Sequence, residues 1–238
     1  MIANSCKSKY FSLIGDSIST LGGYTEPDDA VFYEGARKIK ANVFSPLDTW
    51  WGQVVDSLGG ELLVNNSFSG SMVCKTKSCI IESYGCSDER TSALHRGENT
   101  PDVIMVYLGT NDWGGGLFPR PANRAEEKDI SIFSVAYRLM LEKLRRNYPN
   151  AEIWCFTLAV SCWSEHEGFE FPYYYAGRHI DLYCDVIREC ASDFSCTLVD
   201  LYRVSEPYDT IDGFHPNADG MKTLSRAVMR CIETGDSE

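Results

Sequence analysis

The chain has 238 residues, 44% hydrophobic and 24% charged, an ordinary globular composition with enough length to bury one sizeable core. Its formal net charge of −12 repels polyanions, which argues against nucleic acid and anionic membrane surfaces as partners. No apolar run approaches the roughly 18 residues of a membrane-spanning helix, so a membrane span is excluded as well.

The opening stretch Met1 to Tyr10 lacks the apolar core of a signal peptide. This favours a cytoplasmic protein, although a chain trimmed of its leader would read the same way. Tyr10–Ile14 is a strand-sized apolar run. Thr49–Leu58 follows a helical pattern stopped by Gly59-Gly60, and Glu61–Asn65 reads as a second strand. Asp102–Leu108 (DVIMVYL) is continuously apolar, as expected of a parallel strand covered on both faces. Ile130–Asn147 is apolar at 132, 133, 136, 139, 140 and 144, one face of a helix, and Pro149 ends it. Glu152–Leu158 and Thr197–Leu201 supply two more strands, and Tyr173–Ala191 and Asn217–Glu233 two more helices.

Strands alternating with helices imply parallel strands joined by right-handed crossovers. The expected fold is an α/β, three-layer α/β/α sandwich of about five parallel strands, in one domain spanning residues 1–238. Three long segments stand outside this skeleton: Ser19–Pro46, Lys75–Pro101 and Ser161–Pro172. Long connections of this kind are functional or disordered, and the aromatic content of the first and third argues against plain disorder.

Ten cysteines lie at 6, 74, 79, 86, 155, 162, 184, 190, 196 and 231, with no Cys-x-x-Cys pair and no histidine at ligand spacing. No metal site is expected, and no cofactor is called for. Free thiols in a reducing compartment are the plain reading. Cys74, Cys79 and Cys86 fall in an expected surface segment, where one bridge stays open.

In an open parallel sheet, ligands bind beyond the carboxyl ends of the strands. Four short polar motifs lie there. Gly15-Asp16-Ser17 follows the first strand, where a sharp turn presents the serine at a helix start whose amides favour negative charge. By itself it is equally a common turn or cap. Asn65-Asn66-Ser67-Phe68-Ser69-Gly70 follows the second strand, and Gly70 is able to hold a backbone amide toward the serine or to be a plain loop glycine. Gly109-Thr110-Asn111-Asp112 follows the third, where an amide side chain can donate to an oxyanion or simply close an Asx turn. Asp212-Gly213-Phe214-His215-Pro216 comes at the last helix, with Pro216 expected to fit that helix's first turn. There the carboxylate can orient one imidazole nitrogen while the other faces the serine; a capping Asp and a surface His read equally well.

Taken together and in order, these motifs resemble the four blocks of the SGNH/GDSL hydrolase superfamily, covering the chain from residue 15 to residue 215. The resemblance implies a flavodoxin-like sandwich and a serine esterase or acylhydrolase that works through an acyl-enzyme. It implies Ser17 as nucleophile, His215 as general base and acid, and Asp212 as the residue orienting it. The oxyanion hole would comprise the amides of Ser17 and Gly70 and the side chain of Asn111. The Phe68-Ser69 approach to Gly70 departs mildly from the family pattern.

Asp16, Trp113, Trp163 and His166 stand near these blocks as candidate substrate contacts. The aromatic stretch Trp163–Tyr175 would stack on sugars, line an acyl slot, or form a small core that pins a loop. Asp88-Glu89-Arg90 either places an arginine near the site or is a solvated surface run, and the surface run is the plainer reading. Aromatic loops point to a small-molecule or oligosaccharide ester, with a short acyl group such as acetyl on a carbohydrate. The alternatives are a lysophospholipase or thioesterase, and a non-catalytic carbohydrate binder on the same fold. A nucleotide binder is disfavoured, because no Gly-x-Gly-x-x-Gly follows the first strand.

Overall fold

The protein is described by a computed structural model covering residues 9–25, 30–77 and 83–234. Cys6 and Cys79 lie outside the described residues. Five strands, β1 (Tyr10–Gly15), β2 (Glu61–Ser67), β3 (Val103–Tyr107), β4 (Glu152–Phe156) and β5 (Thr197–Val199), form one sheet in the order β2-β1-β3-β4-β5. Every neighbouring pair is parallel.

The helices are α1 (Gly35–Ala41), α2 (Trp50–Ser57), α3 (Asp88–Ser92), α4 (Thr110–Gly114), α5 (Phe133–Asn147), α6 (Asp181–Asp193), α7 (Leu201–Val204) and α8 (Ala218–Thr234). No helix among the described residues is long and apolar enough to cross a membrane.

Strand side chains alternate between the two faces of the sheet, and every strand except the edge strand β2 is apolar on both. Phe11, Leu13, Val103, Met105, Trp154 and Phe156 point to one side, where Trp50, Trp51 and Val54 of α2 and Leu224 and Val228 of α8 cover them. Ile14, Ile104, Val106, Ile153 and Cys155 point to the other, under Ala136, Tyr137 and Met140 of α5 and Ile187 of α6. Trp50 and Trp51 are each 1% exposed. Burying one such ring removes about 150–250 Å² from water. At about 25 cal/mol per Å² that is roughly 4–6 kcal/mol each, enough to dock a short helix whatever its intrinsic propensity. The Thr49 hydroxyl caps α2 by accepting from the Gly52 amide at 3.0 Å.

The result is the expected three-layer α/β/α sandwich with the 2-1-3-4-5 order of flavodoxin-like folds. The chain leaves β1 toward β2 on one side and later returns to pair β3 on the other. The crevice at that switch point opens at the carboxyl ends of β1 and β3.

Four local expectations are corrected. The helix expected over Tyr173–Ala191 starts only at Asp181. Before it lies a small antiparallel hairpin pairing Tyr174 with His179 and Tyr175 with Arg178. It turns through Ala176 and Gly177 at φ 45° and 71°, the paired positive dihedrals of a tight hairpin turn. Strand five stops at Val199 rather than Leu201, because Asp200 turns into α7 and its carbonyl accepts from the Arg203 and Val204 amides. Pro216 sits ahead of α8, paired with Thr210, and Asn217 caps the helix through the Asp219 and Gly220 amides. Cys74 and Cys86 belong to the core, not to a surface segment.

Candidate active site

Ser17 begins a short 3-10 turn, Ser17–Ser19, directly after β1. Asp16 caps it, its Oδ1 accepting from the Ile18 amide at 3.0 Å. The turn is held from outside by three donors: Trp51 Nε1 and Asn65 Nδ2 to the Ser19 carbonyl, at 3.0 and 2.8 Å, and Trp50 Nε1 to Ser19 Oγ at 3.2 Å. The serine therefore projects from a braced corner, 7% exposed.

His215 reaches it from the far end of the sequence. Its Nε2 lies 2.9 Å from Ser17 Oγ and its Nδ1 lies 2.7 Å from Asp212 Oδ2. The other Asp212 oxygen accepts from the Phe214 and His215 amides at 3.1 and 2.8 Å. Partial burial works against ionising Asp212, but these hydrogen bonds and the His215 ring win and hold its carboxyl at about 2. An ionised Asp212 holds the proton of His215 on Nδ1 and leaves Nε2 free to accept from the serine hydroxyl.

The ring plane of His215 is set by a contact that the sequence does not signal. Phe32 stacks on it at 3.5 Å between centroids, 9° from parallel, and Arg37 lies 4.8 Å above the outer face of Phe32. Such an aromatic pair contributes about 0.5–1.5 kcal/mol. Phe32→Leu is therefore expected to lower kcat about 2- to 10-fold with little change in KM, measured by steady-state kinetics.

Gly70 and Asn111 lie in the segments that follow β2 and β3. Gly70 has φ 79°, a conformation L side chains seldom adopt, and a Cβ there would meet nothing within 4 Å. Asn111 lies in α4, which starts from Gly109 at φ 127°. A Cβ on Gly109 would also press on Phe133 at 3.1 Å and Leu158 at 3.3 Å. Asn111 Nδ2 donates to the Ser71 carbonyl at 2.9 Å and makes only a long 3.4 Å contact with Asp16 Oδ2. One N–H is thus engaged and the other lightly held.

The neighbouring Asp112 is fully buried, and its two oxygens accept from the Val73 and Cys74 amides at 2.9 and 3.0 Å. It ties the segment after Gly70 to α4. Burial lifts its carboxyl to about 6 against these hydrogen bonds.

The outlying candidates divide. Asp16 and Trp113, 2% and 1% exposed, do not line an opening. Asp16 is a cap, and Trp113 anchors a small core with Phe171 stacked at 5.5 Å and Tyr175 edge-on at 4.8 Å. Trp163 stacks on the exposed His166 at 4.7 Å. Its ring lies 3.7 Å from the Cβ position of Gly213, against the Asp212–His215 turn. Arg90 contradicts the expected surface run, being 5% exposed with its guanidinium among backbone carbonyls. A charged triplet carries no signal for that inward rotation. Among the described residues, no cluster of three or more His, Cys, Asp or Glu has the arrangement of a metal site.

Burial raises the Asp16 carboxyl from 3.8 to about 7, opposed by the Ile18 amide and helped by Asp112. A carboxyl raised in the folded state contributes stability below its unfolded pKa and loses it as pH climbs through the folded one. Asp16→Asn keeps the oxygen that Ile18 needs and removes the titration. Its Tm is expected to gain on the wild type between about pH 4 and pH 7, by calorimetry at both ends.

A family model described as GDSL-like lipase/acylhydrolase matches residues 9–160. A multidomain esterase of Ruminococcus flavefaciens is 27% identical over 142 residues, which is 56% of this chain and 16% of that much longer protein. Among solved structures, a Bacteroides ovatus protein described as a GDSL-like lipase has a TM-score of 0.71 at 24% identity, covering 96% of this chain and 99% of its own. An M. smegmatis aryl esterase gives 0.63 at 16% identity, covering 95% and 99%. A carbohydrate esterase family 2 enzyme of Corynascus thermopiles gives 0.61 at 16%, covering 96% and 67%. These structural likenesses show the fold, while the family model spans more than half of the chain. The chain belongs to the GDSL-like lipase/acylhydrolase family.

Proposed function

We propose that this chain is a serine esterase that transfers an acyl group first to Ser17 and then to water. The observation that carries this reading is the continuous path from Asp212 Oδ2 to His215 Nδ1, 2.7 Å, and from His215 Nε2 to Ser17 Oγ, 2.9 Å. It lies at the carboxyl ends of the strands, beside the switch point.

In this mechanism Ser17 Oγ attacks the ester carbonyl as its proton passes to His215 Nε2. Asp212, ionised, stabilises the imidazolium that forms. The oxyanion is met by the amides of Ser17 and Gly70 and by the lightly held second N–H of Asn111. His215 then protonates the leaving alcohol, and water repeats the sequence on the acyl-enzyme. The reading takes residues 1–238 as one catalytic domain, since both hydrophobic cores are built on the same sheet.

For substrate, we propose a short acyl group, acetyl foremost, on a carbohydrate. Exposed aromatic side chains in the segments after β3 and β4 support this: Tyr173 and Tyr174 are 43% and 64% exposed, and Phe118, 59% exposed, stacks under Arg178. Two relatives are themselves called a multidomain esterase and a carbohydrate esterase. The test is turnover of p-nitrophenyl esters of increasing chain length alongside acetylated oligosaccharides. A sharp preference for acetyl, with faster turnover on the oligosaccharides, is the expected result. Preference for octanoyl or longer would overturn the short-acyl reading, and no turnover of any ester would overturn the esterase reading.

A further inference from the structure

Arg90 is the buried cation of the site region, and all five of its hydrogen bonds go to neutral oxygens. Nη2 donates to the Gly15 carbonyl at 3.1 Å and the Asn66 carbonyl at 2.7 Å. Nη1 donates to Ser71 Oγ at 2.8 Å and the Ser83 carbonyl at 2.5 Å, and Nε donates to Asn66 Oδ1. Burial lowers its pKa to about 10, so it stays charged at neutral pH. Removing that charge from water is costly, and a surface salt bridge would serve stability more cheaply. The sites it holds are the ones behind the oxyanion donors.

We propose that Arg90 is a positioning residue for the oxyanion hole, a planar fork that locks the ends of β1 and β2 and the Gly70 loop into one rear wall. The proposal rests on the assignment of Ser17, Gly70 and Asn111 as oxyanion donors. Gly15, held by Nη2, lies two residues before Ser17. Ser71, held by Nη1, is bonded to Gly70, and its own carbonyl accepts from Asn111 Nδ2 at 2.9 Å. Each donor is thus one short step from an atom the guanidinium fixes. Lysine is a single point of donation on a flexible stem and cannot hold these segments in one plane.

A displacement near 1 Å at a reacting centre costs about 10² in rate. Arg90→Lys is therefore expected to lower kcat on p-nitrophenyl acetate about 10²-fold, with KM within about threefold. Affinity for an arylboronic acid, whose boron accepts the Ser17 Oγ electron pair as the proton passes to His215, should fall with kcat/KM. Ser71→Ala removes one arm of the fork without leaving a buried charge unmatched, so it guards against an Arg90 variant that does not fold. It should lower kcat about tenfold at unchanged KM.

Folded Arg90→Lys and Ser71→Ala proteins with wild-type kcat would overturn the proposal. So would variants that lose thermal stability and KM alone, the signature of a merely structural arginine. The two levels separate cleanly. Continued turnover by Ser17→Ala defeats the esterase reading itself, whereas a dead Ser17→Ala beside wild-type kcat in the Arg90 and Ser71 variants defeats only the positioning role.

Discussion

Ser17→Ala is expected to lower kcat about 10⁶-fold, the size of effect seen when the nucleophile of a serine hydrolase is removed. Nothing else near His215 can substitute. Among the described residues its Nε2 hydrogen-bonds to the serine hydroxyl alone, at 2.9 Å, and the next hydroxyl in the chain, Ser19, is turned inward to receive Trp50. The fold should not notice the change. The turn around residue 17 is held by backbone and by the Asp16, Ser19 and Thr20 side chains, with Thr20 Oγ1 donating to the Ser17 carbonyl at 3.0 Å. Melting temperature should therefore match the wild type within a degree or two. Labelling by a fluorophosphonate should disappear in parallel, and a labelled Ser17→Ala protein would put the nucleophile elsewhere.

Asn111→Ala is expected to cost about 10²–10³ in kcat, the usual worth of one oxyanion donor. The geometry adds a refinement. Asn111 Nδ2 also holds the Ser71 carbonyl at 2.9 Å, so alanine both deletes a donor and loosens the loop that carries Gly70. The loss should lie toward the upper end of that range. Asn111→Asp keeps the shape but brings an acceptor, and a negative charge when ionised, to face both the Ser71 carbonyl and the developing oxyanion. It should be at least as slow as alanine. A variant at residue 111 with wild-type kcat would remove Asn111 from the oxyanion hole.

The sequence by itself determined the layered α/β/α architecture and the neighbourhood of the site. Both depend on local rules: alternation on buried strands makes apolar runs such as Val103–Tyr107 legible, and an open parallel sheet collects polar loops at its carboxyl edge. Ser17, Gly70 and Asn111 each follow a strand of the sheet, so their place at its carboxyl edge could be anticipated from chain order. The elements that misread locally did so where tertiary contacts overrode local pattern. Tyr173–Tyr175 continues the helical pattern in sequence, yet Tyr175 packs edge-on against Trp113 and Tyr173 stacks on His179, and the backbone becomes a hairpin.

Only the tertiary structure decided what stands behind and above the reacting atoms. Phe32 sits 183 residues from His215 along the chain, as residue numbers 32 and 215 show, and its stacking leaves no periodic trace. Asp16 and Trp113 read as candidate substrate contacts because they adjoin reactive motifs, but adjacency in sequence does not say which way a side chain turns. Arg90 is the sharpest case. A charged Asp-Glu-Arg triplet normally lies in water, and burial of its arginine is stable only because carbonyls from three separate segments converge on one guanidinium. No single stretch of sequence contains that convergence; it exists only once β1, β2 and the loop beyond Gly70 have packed together.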